Sequence, residues 1–596
     1  MDNKDDIFVS GVIVLLFHKI LGGEHQLREE QTMTLVNAGS CGVSVAYLMV
    51  TLPLISAPMS SVLAQPSNVA IQPGYSMTAV ASGLNFPTAM TFFGDTIWVT
   101  EEGTASAPAA VKRIDNKGNV TTQLTATQLP AGSLSSPLTG SVFNRGWFWL
   151  VHRQTNSKNA PGVPVGVISR FKPSDPVGSF QTVIAGFPSF GDHPNSQIVF
   201  GANGRAYING AAPTNSSVVG PDNGWAPNTP TLHDFPGVDI ELSGIGYQTL
   251  IPFALDPAGG TKAAKITQPF TAFGGGPVPA GTVVKAPTPA NPQQGIIAGG
   301  GTVYSFDPDA ADMAPTMRLE AWGLRNPYGI GFDPFNPKLL FVSNNGADVR
   351  QTTINGKLVI RGSRPIDNDF DDMFVVRIGE DRDNDRDEDS KGKGSVGREV
   401  PFFGHPDFFH DPVSRQPLPV TNPLFCPAPL PLPTPPPPVL SSPCSQFAFS
   451  DSFRAKLKVQ PAFAEIELHS SANMFDFSRT KAFGFKGDIF IAETGSIPPG
   501  TGATSLTGFK VARIDRRTGV VSDFISHPMN TSAVIFPTTD VLNSFNKPID
   551  VRFRGPEMFI VDFGFFVPGP VTPNSGKIWK VTLLANAHKP GDRPAP

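Results

Sequence analysis

Two stretches of this 596-residue chain carry the side chains best suited to chemistry. In GDHPNSQIVFGANGRAYING, the pair Asp192–His193 stands just before Ile198, Phe200, Ala206 and Ile208, which flank the turn GANG. Near neutral pH an imidazole can take a proton from a hydroxyl, and a carboxylate beside it can orient the ring or raise its basicity. In GLRNPYG, Arg325 offers a guanidinium that can grip a carboxylate through two parallel hydrogen bonds, with the Asn326 amide beside it. A base and an anion clamp facing one cavity would suit an acidic cofactor or substrate. The plainer alternatives are that His193 satisfies a turn and that Arg325 bridges structural elements. His405 and His469 read as structural residues.

Those side chains need loops to carry them, and the composition says which kind of scaffold supplies the loops. Glycine and proline make up 120 residues, phenylalanine 45, and only 16% of the chain is charged. That balance favours many short strands joined by turns over long solvated helices. Apolar alternation broken at GANG predicts a β-hairpin, with His193 on the loop before it. From about residue 75 a loose unit of strand, turn, strand, loop and strand recurs six times. Its copies open at NFPTAM, SSPLTG, HPNSQI, RNPYGI, SSANMF and NKPIDV. No copy can bury both faces alone, so the units must close radially, as an all-β, six-bladed β-propeller with long loop insertions. The spacing places those insertions after the second strand of blades three, four and five. Loops leading into blades converge at one mouth of the channel, which would gather His193, Arg325 and His469 there. Trp147, Phe148 and Trp149 read as packing between blades.

Residues 1–64 read as an N-terminal extension and signal peptide, and residues 65–596 as one propeller domain with a proline-rich loop insertion at 416–446. The apolar run from Gly42 ends in small residues, which predicts cleavage near Ala64–Gln65 and a secreted or periplasmic protein. An uncleaved N-terminal membrane anchor is the alternative, and Met33 is a second candidate start. Cys426 and Cys444 flank the proline-rich loop and read as one disulfide, worth about 3 kcal/mol for so short a closure. A net charge of −4 gives no footprint for nucleic acid. The run DRDNDRDED alternates acidic residues as a calcium loop would. An EF-hand would need Gly and Glu where Arg386 and Gly392 stand, leaving another oxygen-lined Ca2+ site or a solvated charge run. GKGSVG has neither a strand before it nor a helix after it and is no nucleotide fingerprint.

Three segments, within about residues 75–585, resemble the glucose/sorbosone dehydrogenase family, soluble quinoproteins on a six-bladed propeller. They are DHPNSQIVFGANGRAYING, WGLRNPYGIGFDP, and NNGADV followed by DDMFVVRIGE. The resemblance implies that His193 is the base that removes a hydroxyl proton as hydride passes to pyrroloquinoline quinone (PQQ). It implies that Arg325 and Asn326 contact the quinone, that the carbonyls of Gly346 and Ala347 ligate Ca2+, and that Asp371 and Asp372 lie near a supporting calcium site. The chain departs from the family's pattern in several places. SSPLTG replaces a Gly-Gln-Gly-Gly-rich lead-in to blade two. No basic residue precedes Lys510 in blade five, Lys547 stands where blade six usually carries arginine, and Met373 replaces an acid.

Three functions fit this reading. The first is an exported PQQ- and Ca2+-dependent dehydrogenase oxidising a sugar hydroxyl or aldehyde and passing electrons to an external acceptor. The second is a non-catalytic secreted propeller that binds carbohydrate or protein. The third is a Ca2+-dependent hydrolase or lactonase.

Overall fold

The computed structural model describes residues 66–585 except 67–68, 105–106, 158–159, 224–231, 252–264, 355–356, 361, 380–398, 427–445, 497–505, 527–543 and 565–572. The presumed signal peptide, the acidic run at 381–389, GKGSVG and most of the proline-rich loop lie outside the described residues. Six antiparallel sheets of four strands or more are present, and each matches one recurring unit. Blade one comprises Pro87–Phe93, Thr96–Glu101, Ala110–Ile114 and Val120–Thr125. Blade two comprises Ser135–Asn144, Trp147–Ser157, Ala160–Phe171 and Gln181–Pro188. Blade three comprises Ile198–Phe200, Ala206–Gly210, Thr302–Phe306 and Arg318–Trp322. Blade four comprises Asn326–Asp333, Asn336–Asn345, Phe370–Arg377 and Ala464–Leu468. Blade five comprises Ala472–Phe477, Ile489–Glu493, Lys510–Ile514 and Val521–Ser526, with Ala70–Ile71 added at its outer edge.

Blade six takes three strands from the end of the chain, Pro548–Arg554, Glu557–Asp562 and Gly576–Leu583. Its outermost strand is Tyr75–Leu84, which pairs antiparallel with Gly576–Leu583. The ring is therefore closed by the two ends of the chain, a strand that the repeat pattern did not reveal.

Local sequence explains the hairpins. Arg145 and Gly146 both take positive φ between the first two strands of blade two, the geometry of a type I′ turn whose twist suits a hairpin. At GANG the expected hairpin forms, with Ile198 opposite Ile208 and Phe200 opposite Ala206. Apolar faces of adjacent blades then meet in six cores. Trp98, Phe148 and Phe171 fill the space between blades one and two, and Trp149, Phe187 and Phe306 that between two and three. Phe490, Phe524 and Trp579 join blades five and six. Each buried aromatic of this kind contributes about 1.5–3 kcal/mol.

A second girdle, of hydrogen bonds, runs round the axis. Thr88 Oγ1 donates to the Leu138 carbonyl, Thr139 Oγ1 to Asn195 and Ser196 Oγ to Tyr328. Ser343 Oγ then donates to Asn473, Thr494 Oγ1 to Pro548, and the Met90 amide to Asp550. Each bond joins one blade to the next, and the last joins six to one. Tyr328, Met474 and Ile549, from blades four, five and six, cluster with Met90 and Ala89 of blade one.

Blade three carries its insertion (211–301) after the second strand, as expected, and so does blade five (494–509). Blade four also carries one after its second strand (346–369), and a longer excursion, 378–463, follows its third strand. The outer strand Ala464–Leu468 is too far along the chain from its partner Phe370–Arg377 for local periodicity to join them. This excursion still reaches the mouth, because it climbs the outside of blade three: the Phe403 amide bonds the Trp322 carbonyl, and the His405 amide that of Gly323. Cys426 is disulfide-bonded, and its partner lies outside the described residues.

Candidate functional site

Five of the six lead-in loops end on a residue followed by proline: Phe86, Ser136, His193, Asn326 and Lys547. Proline lacks an N–H, so the chain enters the inner strand without leaving a donor orphaned at the mouth. His193 and Lys547 thus hold the same place in different blades.

His193 is buried, at 1% exposure. Its Nδ1 lies 2.5 Å from the Ala212 carbonyl, at the start of the blade-three insertion. Nδ1 therefore carries the proton, and Nε2 keeps its lone pair. Burial, reinforced by the charges of Arg325 and Arg350, holds the imidazole well below its usual range. The ring is neutral at physiological pH, as a proton acceptor must be.

Asp192 does not serve this ring as expected. Its carboxylate receives Arg350 Nη2 at 3.1 Å and Asn223 Nδ2 at 3.2 Å. The carboxylate that pulls His193 upward is instead that of Asp348.

Asp348 is the hub of the mouth. Arg325 Nη2 approaches its Oδ2 at 3.1 Å, Arg350 Nε the same oxygen at 3.3 Å, and His469 Nδ1 its Oδ1 at 3.3 Å. Burial alone would raise the carboxyl, but Arg325, His469 and Arg350 outweigh it and hold it well below the carboxylate range. His469, read from sequence as structural, is buried at the same mouth, with Nδ1 turned to Asp348 and Nε2 without a hydrogen bond.

Arg325 reaches the mouth as expected, but as a clamp on the protein itself. Nε donates to the Asn215 carbonyl at 2.8 Å, Nη1 to the carbonyls of Asn345 and Gly346 at 3.3 and 2.6 Å, and Nη2 to Asn215 Oδ1 and Asp348. All five N–H donors are spent. Asn326 Nδ2 donates to Asn345 Oδ1, and its own Oδ1 is buried without a partner.

Of the groups expected to hold calcium, the Gly346 carbonyl and the Asp371 carboxylate are likewise committed, while Asp372 Oδ1 is buried without a hydrogen bond. The Gly346 carbonyl already accepts from Arg325, so an ion there would have to displace a guanidinium. The Ala347 amide donates to Asp369. Asp371 accepts from the Gly346 amide, Ser470 Oγ and the Ala472 amide, a staple between blades four and five. Burial pushes its carboxyl up to about 6. Asp372 sits opposite Glu465 in the sheet and 3.6 Å from His410 Nδ1, and burial beside Asp369 raises its carboxyl. Burial and Asp372 together push Glu465 up to about 11, so the pair shares protons rather than offering two charges. Among the described residues no group of three or more His, Cys, Asp or Glu is disposed to hold a metal. Ca2+ takes six to eight oxygens. As placed, the Gly346 carbonyl and Asp371 face protein donors rather than an ion, and Arg325 has no donor left for a quinone carboxylate.

Two basic side chains near the mouth have a buried nitrogen without a hydrogen bond, and the sequence reading missed one and discounted the other. Arg153 lies in the mouth-side half of the second strand of blade two, in register with Ser135, the first residue of that blade's inner strand. It is 6% exposed, its Nε has no partner, and no described residue accepts a hydrogen bond from its guanidinium. Lys547 is 3% exposed, and its Nζ, also without a hydrogen bond, lies 4.6 Å above the ring of Phe509. Burial pushes its amine down to about 7, against the pull of Asp562. The lead-in position before proline was the available signal for Lys547. For Arg153 there was none, since an arginine ending an apolar strand reads as a surface residue.

No family profile matches the chain, and no curated protein matches it. Solved structures similar to it include the PQQ domain of pyranose dehydrogenase from Coprinopsis cinerea, at 12% identity and a TM-score of 0.47, over 87% of this chain and 98% of that one. A Trichoderma reesei enzyme of carbohydrate-active family AA12, in its calcium form, gives 14% and 0.46 over 87% and 98%. A gluconolactonase from Xanthomonas campestris gives 10% and 0.34 over 87% and 97%. By its own strand order the chain is a six-bladed β-propeller, similar in structure to soluble PQQ-dependent sugar dehydrogenases and to a gluconolactonase.

Proposed function

We propose that the chain is an exported, sugar-active oxidoreductase in which His193 takes the proton from a sugar hydroxyl or hydrated aldehyde as hydride leaves the adjacent carbon. The observation that carries this reading is the state of His193: neutral, fixed in one tautomer by Ala212, with Nε2 unengaged at the mouth. Arg325 and Arg350, each balanced by aspartate, provide a fixed positive field beside it that favours an alkoxide over an alcohol and keeps the imidazole unprotonated before reaction. Cleavage near Ala64–Gln65 would deliver the mature protein outside the cytoplasm, where an external acceptor can recharge the site.

PQQ with Ca2+ is the hydride acceptor that the family resemblance implies. Arg325, the Gly346 carbonyl and Asp371 are engaged elsewhere, so the acceptor is a matter for direct titration. Mature protein from Gln65 is supplied with PQQ, with and without Ca2+, then with a panel of aldoses and a dye acceptor, as wild type and as His193→Ala. Sugar-dependent dye reduction that disappears in His193→Ala supports the reading. No sugar-dependent reduction under any of these conditions overturns it. Hydrolysis of a sugar lactone without an acceptor would then point to His193 activating water.

A further inference from the structure

The mouth is not the only place where this chain sets an imidazole beside a hydroxyl. A pocket lies between the blade-three insertion, the end of the outer strand Arg318–Trp322 and the excursion from blade four. Phe235, Phe273 and Trp322 supply its apolar wall, and Ser217 and His405 its polar one. Ala212, whose carbonyl holds His193, lines it too and is the residue the two places share. The pocket measures about 310 Å³ with its opening, yet its interior has room for little more than one water molecule.

Ser217 and His405 come from different insertions and meet there. Ser217 Oγ lies 3.1 Å from His405 Nε2, the reach expected of a nucleophile and its base. Both are buried, and their backbones are fixed. The Ser217 carbonyl accepts from the Phe273 amide, Ser216 Oγ donates to the Arg364 carbonyl, and the His405 amide donates to Gly323. Ser217 takes a φ of 62°, the left-handed region that a serine enters at a cost of about 1–3 kcal/mol. Burial, with Arg325 and Arg364 nearby, holds the His405 imidazole well below its usual range. The ring is neutral at physiological pH and so free to accept a hydroxyl proton. Its Nδ1 has no hydrogen bond, and Asp234, in the same pocket, spends its oxygens on the Thr214 amide and hydroxyl. The arrangement is a dyad without an orienting carboxylate.

We propose that Ser217 and His405 form a second, metal-independent site that hydrolyses small acyl esters, of the size of an O-acetyl group. Ser217 Oγ bonds the acyl carbon as its proton passes to His405 Nε2. The carbon–oxygen bond to the alcohol then breaks, and the alcohol leaves with that proton. Water attacks the acyl-serine next, giving a proton to Nε2, and acetate departs as Oγ takes the proton back. The narrow interior admits an acetyl methyl and excludes longer chains. Fixing the imidazole tautomer with a carboxylate is worth about 10⁴ in kcat in a full triad, so this dyad turns over slowly. With an activated ester the acyl-enzyme accumulates. The inference goes beyond the oxidoreductase reading and does not rest on it.

The test follows p-nitrophenol release from p-nitrophenyl acetate by the mature protein in EDTA, with peptide mapping of the acetylated chain. A stoichiometric burst should appear, with the acetyl group on Ser217, and p-nitrophenyl octanoate should give none. Ser217→Gly removes the hydroxyl and suits the left-handed backbone, so it should fold and give no burst. In His405→Gln the burst should slow by about 100-fold or more, the contribution of a positioned general base. No burst from the wild type, a burst that survives in Ser217→Gly, or acetyl groups found only on other residues overturns the inference. Sugar-dependent dye reduction is measured on the same preparations. Its absence overturns the oxidoreductase reading alone, and a missing burst overturns this inference alone.

Discussion

Replacing Arg325 with methionine, which keeps much of the volume and none of the donors, tests whether the mouth is the closed network seen here. The substitution removes five hydrogen bonds and leaves the carbonyls of Asn215, Asn345 and Gly346 and the side chain of Asn215 short of a donor. Asp348 keeps Arg350 and His469, so it is weakened rather than stranded. Breaking one partner of a buried pair costs about 3–5 kcal/mol, and the remaining partners place this case near 3. An unfolding entropy of about 2.1 cal/mol/K per residue over roughly 420 described residues amounts to ~0.9 kcal/mol/K. The expected fall in Tm is therefore about 3 °C, read by calorimetry at pH 7.5. Adding Asp348→Asn should cost less than the sum of the single changes by about 1–3 kcal/mol, since the two groups share one contact. A Tm within 1 °C of wild type, or strict additivity of the two substitutions, would refute the claim that Arg325 is spent on the protein.

Three shorter tests address the rest of the structure. His193 should remain neutral with its proton on Nδ1 at pH 6.5, read from ring 13C and 15N shifts in histidine-labelled protein, with His193→Gln for assignment. Its folded pKa is depressed, so the unfolded chain binds the proton first as pH falls below the usual 6.5; this group then withdraws up to about 1.4 kcal/mol of stability per pH unit until its folded pKa is reached. Ca2+ at 1 mM, against EDTA, should move Tm by less than ~1 °C. A site with a 10 μM Kd would add about 2.7 kcal/mol and shift Tm by ~3 °C. Truncation to begin at Asn85 should abolish the cooperative transition in near-UV circular dichroism, whereas truncation to begin at Gly74 should preserve it, because only the former removes Tyr75–Leu84 from blade six.

The blades were legible because their signals are local. An Asn-Gly or Arg-Gly turn between apolar alternations specifies a hairpin wherever it occurs, and six such units leave little choice but a ring. The lead-in loops were legible for the same reason, which is why His193 and Arg325 were found before their surroundings were known. What those side chains do was less legible. The acceptors for Arg325 come from Asn215, on an insertion 110 residues upstream, and from the far end of the neighbouring strand, and no window of sequence joins them. Asp192 adjoins His193 in the chain yet bonds Arg350, because adjacent residues in an extended segment point to opposite sides. The unbonded Nε of Arg153 is a matter of missing neighbours, which a sequence does not record.

The strand that closes blade six joins residues as distant as Ser76 and Thr582, 506 positions apart. Confining so long a loop costs on the order of 5–6 kcal/mol of chain entropy before the pairing returns anything. During synthesis the first strand emerges early and then waits, unpaired, until almost the last residues appear. Until then blade six lacks its outer strand and the circle of hydrogen bonds round the axis is open. A protein assembled this way commits to its native shape only once it has been completely made. That timing makes the final turn of the ring the step on which everything at the mouth depends.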